Sequence, residues 1–353
     1  MAFATVHNVA IRGISACVPE HIEENLSLPV FKEGEAERVI AQTGIERKHI
    51  VEPGTTVTDL CASAFEKLIT ELGWDRSSIE ILILVSSAGD YITPPSANVL
   101  HGRLDLSEDC LCFDIRQGCP GWVIGMSTIA SMMMTGNYHR AVLLCGDSST
   151  IMKSPFDKET RPLFGDAGTA TALEYDELAT PMYFQHGTRG KDFQAIMAHD
   201  GGLRHPFNAK SLEYEVIDEN IIRRPVDSSM NGMDVFSFAL SVAPKGLQAL
   251  MTKYGLADED VDYYLFHQAN MYLNEKIRRK LKLAPEKVPY SLKDYGNTGP
   301  ATIPLTLVTQ CREQYISSRK RTLACAFGVG LAWASMYFET DHIVCPEIIL
   351  YKA

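Results

Sequence analysis

The sequence predicts an α/β protein made of two duplicated halves, with helices and sheets stacked as five alternating layers, αβαβα. Three observations predict it. Apolar strand-like runs alternate with helix-period patterns, the order that produces mostly parallel sheets covered by helices on both faces. Four elements recur in one order at nearly one spacing: Gly73 and Gly255 lie 182 residues apart, Ile79 and Val261 also 182, Arg140 and Arg321 181, and Gly118 and Gly296 178. The uncharged stretch from Gly121 to Gly136 reads as a helix buried on every side. The halves are expected to divide at 1–178 and 179–353.

The elements follow in order. In the first half Leu72-Gly73 closes a helical pattern, and Ile81-Leu82-Ile83-Leu84-Val85 is a buried strand after Ile79-Glu80. The second half repeats this as Tyr254-Gly255, Val261-Asp262 and Tyr263-Tyr264-Leu265-Phe266. Arg140 to Cys145 parallels Arg321 to Ala326, and Gly118-Cys119-Pro120-Gly121 parallels Gly296-Asn297-Thr298-Gly299. In such sheets, sites form beyond the carboxyl ends of strands. Cys119, His267 and Asn297 are all expected after strand-like runs or in the loops that follow them, so duplication gives three distant residues a reason to meet.

Composition sets outer bounds. A chain of 353 residues, 46% hydrophobic and 22% charged, can bury a large core. Lys+Arg 33 against Asp+Glu 44 gives a net charge of −11, which repels nucleic acid and anionic membrane, so an acidic partner needs a local basic patch. The nine cysteines are odd in number and contain no C-x-x-C pair, which argues against a disulfide framework and against a zinc site. They read as reduced thiols of a cytoplasmic protein. Residues 1–13 lack a basic segment followed by an apolar one, so no secretory signal is expected. The stretch from Gly121 to Gly136 is too short and too interrupted by Gly, Ser and Thr for a membrane span. Its run Met132-Met133-Met134 reads as core filling.

Cys119 is the best candidate nucleophile. A helix N-terminus offers unpaired N–H groups and a partial positive charge, which favour thiolate and lower a cysteine pKa; Pro120 suits the first helical position. The alternative role is a small buried hydrophobe. His267, between Phe266 and Gln268-Ala269-Asn270, can donate a hydrogen bond or exchange a proton, or can be a satisfied core residue. Asn297 suits a tight turn, while its amide can donate to a carbonyl oxygen. Phe327-Gly328-Val329-Gly330 can bring backbone N–H groups close to a substrate, as an oxyanion hole requires.

Gly118-Cys119, Phe266-His267-Gln268-Ala269-Asn270, Gly296-Asn297-Thr298 with Ile303-Pro304-Leu305, Phe164-Gly165-Asp166-Ala167-Gly168, Thr43-Gly44-Ile45 and Phe327-Gly328-Val329-Gly330 occur in order across almost the whole chain. Together they resemble β-ketoacyl-ACP synthase III of the thiolase superfamily. The resemblance implies a thiolase-like fold, a homodimer and a Cys119-His267-Asn297 site, with the Cys119 and Val329 N–H groups as oxyanion hole. The implied reaction is a decarboxylative Claisen condensation of an acyl thioester, from acyl-CoA or acyl-ACP, with malonyl-ACP through an acyl-Cys119 intermediate. No metal or redox cofactor is implied. The acyl pocket falls at Pro94, Met230 and Phe327. Acyl carrier protein is the implied partner, docking on Lys276, Arg279 and Lys280 of a basic cluster that otherwise reads as a solvated helix face.

Several positions depart from the family's pattern. Gly118 and Pro120 replace the alanines that usually flank the cysteine, and Gly299-Pro300 replaces Ser-Ala after Gly-Asn-Thr. Arg38, Gln42, Tyr272 and Met233 replace residues that contact the CoA nucleotide or carrier, and Pro94 stands where a phenylalanine often limits the acyl pocket. These changes point to a specialised acyl group or pathway. Three other readings stay open: a thiolase using Cys325 as second reactive cysteine, an acyltransferase with a non-malonyl acceptor, and a degenerate partner subunit, which is expected to have lost the triad this chain retains.

Overall fold

The computed structural model describes all 353 residues. A six-stranded sheet is ordered β17-β2-β8-β7-β5-β6, from β2 (Val9–Pro19), β5 (Ile81–Ser86), β6 (Leu111–Arg116), β7 (Arg140–Asp147), β8 (Ala167–Tyr175) and β17 (Ile349–Tyr351). A five-stranded sheet is ordered β1-β9-β16-β15-β14, from β1 (Ala2–Val6), β9 (Met182–Thr188), β14 (Tyr263–Phe266), β15 (Lys320–Gly328) and β16 (Ala332–Thr340). Short ribbons join β3 (Ile22–Glu24) to β4 (Arg47–His49), β10 (Ile196–Ala198) to β13 (Ser228–Met230), and β11 (Glu215–Val216) to β12 (Ile222–Arg223).

Helices complete the five layers. α2 (Val57–Leu72) and α3 (Ser96–Arg103) cover the outside of the first sheet, and α5 (Gly232–Tyr254) and α6 (Met271–Leu281) that of the second. Between the sheets lie α4 (Gly121–Met133) and α8 (Thr302–Gln310), whose side chains join both sheets in the central core. The remaining helices are α1 (Glu35–Thr43), α7 (Leu292–Tyr295) and α9 (Arg312–Ser317), whose Tyr315 is buried in the central core. α4 has no charged residue because both faces pack on sheet. Of its methionines Met133 is buried, Met132 is half-buried, and Met134 emerges to solvent at the helix end, so the run fills core only in part.

The duplication is visible in single hydrogen bonds. Glu80 N donates to Arg140 O at 2.9 Å, and Asp262 N to Arg321 O at 2.8 Å, tying the start of β5 to β7 and of β14 to β15 in the same way. Gly73 (φ 63°) and Gly255 (φ 67°) end α2 and α5 in the left-handed conformation. A cut at 178/179 nevertheless misses an exchange at the two ends of the chain. β1 pairs antiparallel with β9 in the second sheet, and β17 pairs parallel with β2 in the first. Each terminus thereby closes the sheet of the opposite half. The first sheet also has a sixth strand, β6, before Cys119, whereas Asn297 follows the short helix α7 rather than a strand.

Candidate active site

Cys119 occupies the tight turn between β6 and α4, with the Gly121 N–H donating to Gly118 O at 2.8 Å. The turn is held from two directions. A Cβ built on Gly121 falls 3.1 Å from Pro300 Cβ, so the start of α4 rests against the 299–301 turn that opens α8. Gly328, at φ 155°, passes so close that a Cβ there falls 2.7 Å from the Cys119 sulfur. Only glycine permits that approach.

The sulfur is shielded rather than activated in this state. Burial pushes the thiol up to about 11, while N–H groups of Val329 and of Cys119 itself act in the opposite direction. The helix-start argument predicted a lowered pKa; desolvation outweighs it because the residue is 9% exposed. The same two N–H groups face the sulfur, so an oxygen developing next to it has two backbone donors at hand.

His267 follows β14, its N–H donating to Cys325 O at 2.9 Å. Burial lowers its pKa to about 3, so the ring is neutral at ordinary pH. Its Nδ1 lies 2.8 Å from Thr302 Oγ1, its ring meets Phe327 edge-on at 5.6 Å, and Nε2 has no protein partner. Asn297 is fixed by backbone on both sides: its N–H donates to Leu163 O at 2.8 Å and its carbonyl accepts from Gly165 N at 3.1 Å. Gly299 N donates to Asn297 Oδ1 at 3.0 Å, which settles the amide orientation and leaves Nδ2 as a free donor. Thr302 Oγ1 also reaches Gly299 O at 3.1 Å, so one hydroxyl ties the histidine to the asparagine's turn.

The Cys119 turn thus packs on the turn that follows Asn297, and Thr302 joins that turn to His267. Met230 is half-buried against Leu163 and Phe164, and Phe327 is buried beside His267. Pro94 is exposed in the segment before α3 and within this chain does not line the interior, since residues 91–95 are all exposed. Lys276, Arg279 and Lys280 are exposed on α6, where Arg279 lies 3.3 Å from Glu275 and Lys280 donates to Leu240 O at 3.1 Å. Cys325 faces α5, with its sulfur 3.9 Å from Ala243 O, so the second-cysteine reading lacks its residue at the site.

Three buried polar residues escaped the sequence reading. Thr302 stands one residue before Ile303-Pro304-Leu305 and carries no motif of its own. Asp147 closes β7 and accepts from Ser86 Oγ at 2.7 Å, from Ser87 N at 2.8 Å and from Ser87 Oγ; a Cβ on Gly299 falls 2.7 Å from its carboxylate. Lys153, a solitary lysine in Ile151-Met152-Lys153-Ser154, is 7% exposed. No sequence signal separates these from ordinary surface polar residues.

Paired α/β halves meeting at a sequestered thiol, amide and neutral imidazole define a condensing acyltransferase of the thiolase-like fold. Residues 113–190 match the family described as 3-oxoacyl-[acyl-carrier-protein (ACP)] synthase III, and residues 251–340 match its C-terminal part. A Campylobacter jejuni protein named putative 3-oxoacyl-[acyl-carrier-protein] synthase 3 is 30% identical over 351 residues, covering 97% of this chain and 96% of its own. A solved 3-oxoacyl-(acyl-carrier protein) synthase from Burkholderia xenovorans superposes with TM-score 0.93 at 32% identity over 99% of both chains. The synthase III from Pseudomonas aeruginosa, at 24% identity and TM-score 0.79 over 96% of this chain and all of its own, shares the fold. The chain belongs to the 3-oxoacyl-[acyl-carrier-protein] synthase III family.

Proposed function

We propose that the enzyme condenses an acyl thioester with malonyl-ACP by the acyl-Cys119 route. The reading is supported by the packing of the Cys119 turn against Gly328 and against the turn that follows Asn297, with Nε2 of His267 and Nδ2 of Asn297 left unpartnered. Cys119 sulfur attacks the donor carbonyl; the bond to the donor thiol breaks, and the Cys119 proton leaves with that thiol. The Cys119 and Val329 N–H groups hold the tetrahedral oxyanion. The malonyl thioester carbonyl then accepts from His267 and Asn297. As the carboxyl carbon–carbon bond breaks, its electron pair becomes an enolate whose oxygen those two donors stabilise. The enolate carbon attacks acyl-Cys119, the sulfur–acyl bond breaks, and a β-ketoacyl thioester leaves.

For His267 to donate from Nε2, Nδ1 must accept, and the Thr302 hydroxyl at 2.8 Å supplies that proton when it turns from Gly299 O to the ring. Phe327 and Met230 border the acyl group, and Pro94 contributes to its pocket only across a homodimer. The open outer edge of β6 supports such a dimer. Lys276, Arg279 and Lys280 form an exposed basic strip suited to an acidic carrier protein on an enzyme of net charge −11. No helix is long and apolar enough to cross a membrane; the proposed enzyme is cytoplasmic, and its steps call for no metal or redox cofactor.

Intact mass spectrometry after incubation with acyl-CoA and acyl-ACP donors tests the covalent step, with CO₂ release from malonyl-ACP testing the second. An adduct absent from Cys119→Ala and dependent CO₂ release are expected. An adduct without malonyl-dependent CO₂ identifies an acyltransferase with another acceptor, and no adduct from any donor overturns the mechanism.

A further inference from the structure

Two lysines are buried, and they differ. Lys48 Nζ is paired with Glu23 at 2.5 Å and with Asn25 Oδ1 at 2.9 Å. Lys153 has no carboxylate within ion-pair distance: its ammonium donates to Ser228 Oγ, whose own hydroxyl donates to Met152 O at 3.2 Å, and otherwise lies on the ring of Phe164 at 4.0 Å. The carboxylates whose charge reaches it are committed elsewhere. Asp147 holds Ser86 and Ser87, Asp157 caps Glu159 N and Thr160 N, and Asp166 holds Thr150 and Val51 N. A buried ammonium left with one hydroxyl and a ring face is strongly unfavourable unless a ligand completes it.

Its position says which ligand. Phe164 is the residue whose backbone bridges Asn297, and Met230, two residues after Ser228, packs on that same ring cluster. The Lys153 charge also acts on Cys119. The ammonium therefore sits one side chain, that of Phe164, away from the backbone of the amide donor Asn297.

We propose that Lys153 recognises a substrate carboxylate at the active site. This rests on the condensing reading above. The same chemistry has two possible sources: the carboxylate of the malonyl acceptor, or a terminal carboxylate on the acyl donor. A charge-assisted hydrogen bond in a desolvated site discriminates on the order of ten- to hundredfold.

The test compares single-turnover acylation by succinyl-CoA with that by 4-methylpentanoyl-CoA, its uncharged isostere, in wild type and Lys153→Met, together with KM for malonyl-ACP in condensation. A ratio is the useful quantity, because any through-space effect of Lys153 on the thiol affects both donors alike. If the wild type prefers succinyl-CoA at least tenfold and Lys153→Met removes that preference, the donor carries the carboxylate. If the donor ratio is near one but Lys153→Met raises KM for malonyl-ACP at least tenfold, relative to its acylation rate with the neutral donor, the acceptor carries it. If neither quantity moves, Lys153 only balances buried aspartates and the proposal is overturned. Lys153→Gln, which keeps a donor for Ser228, replaces Lys153→Met if the latter does not fold. Absence of any Cys119 adduct in wild type is a failure of the condensing reading, and is seen before a Lys153 variant is made.

Discussion

The two halves have one topology and opposite chemistry. After β7 the first half places Asp147 against the turn of Asn297; at the matching end of β15 the second half places Gly328 against the turn of Cys119. A carboxylate supports one turn, and an empty side-chain position admits the sulfur at the other. The central helices show the same divergence: α4 begins beside a thiol, α8 beside an amide and the hydroxyl of Thr302. Duplication supplied two equivalent turns around one centre. Divergence placed a thiol at one and an amide at the other.

The largest expected effect removes the asymmetry at its tightest point. Gly328→Ala puts a Cβ 2.7 Å from the Cys119 sulfur, at φ 155°, where L residues are strained, so acylation should fall by on the order of 10³ or more. Stopped acylation in mass spectrometry checks this; unimpaired acylation breaks the claim that the second half's loop shapes the nucleophile's space. Next is Asn297→Ala, which should lower malonyl-dependent CO₂ release by on the order of 10² to 10³ and leave Cys119 acylation nearly unchanged. Equal loss in both steps means that the halves do not divide the reaction.

A third measurement uses the opposite titration of the two halves. Burial depresses His267 to about 3 from an ordinary 6.5, so the unfolded chain binds the extra proton between those values and stability is lost as pH falls through that window. Burial raises Asp166 to about 6, so that group works with the opposite sign as pH falls from 6 toward 3.8. His267 should cost the wild type about 2 kcal/mol between pH 7 and pH 5. Urea unfolding of His267→Asn should lack that loss; identical pH slopes refute a buried neutral imidazole. The smallest effect is that of Thr302→Val, expected to lower kcat for CO₂ release about tenfold through loss of the hydrogen bond that holds the His267 ring at Nδ1. Thr302→Ser should restore it, and a Val variant with normal kcat removes Thr302 from the site.

Much of this frame was legible. Ile81 to Val85 could only be a strand buried on both faces, and Gly73 and Gly255 could only end helices at equivalent places. Cys119 and His267 stood out because reactive types followed apolar runs at strand ends. Asn297 was readable through its glycine-flanked turn, although the expected strand before it is a short helix. The exchange of β1 and β17 was not legible, since edge pairing depends on where distant strands finish. Nor was Lys153, because an isolated lysine looks the same in sequence whether it ends in water or on the ring of Phe164.

The sequence by itself determined the order of strands and helices, the repeat and the three candidate side chains. Those depend on periodicity and residue type, which are local properties. Tertiary structure alone decided that burial masks the Cys119 thiol, that Thr302 meets His267, that Cys325 turns away and that Lys153 lacks a carboxylate. Each is a matter of desolvation or hydrogen-bond partnership between residues far apart in the chain, and neither has a value until the chain has folded around them.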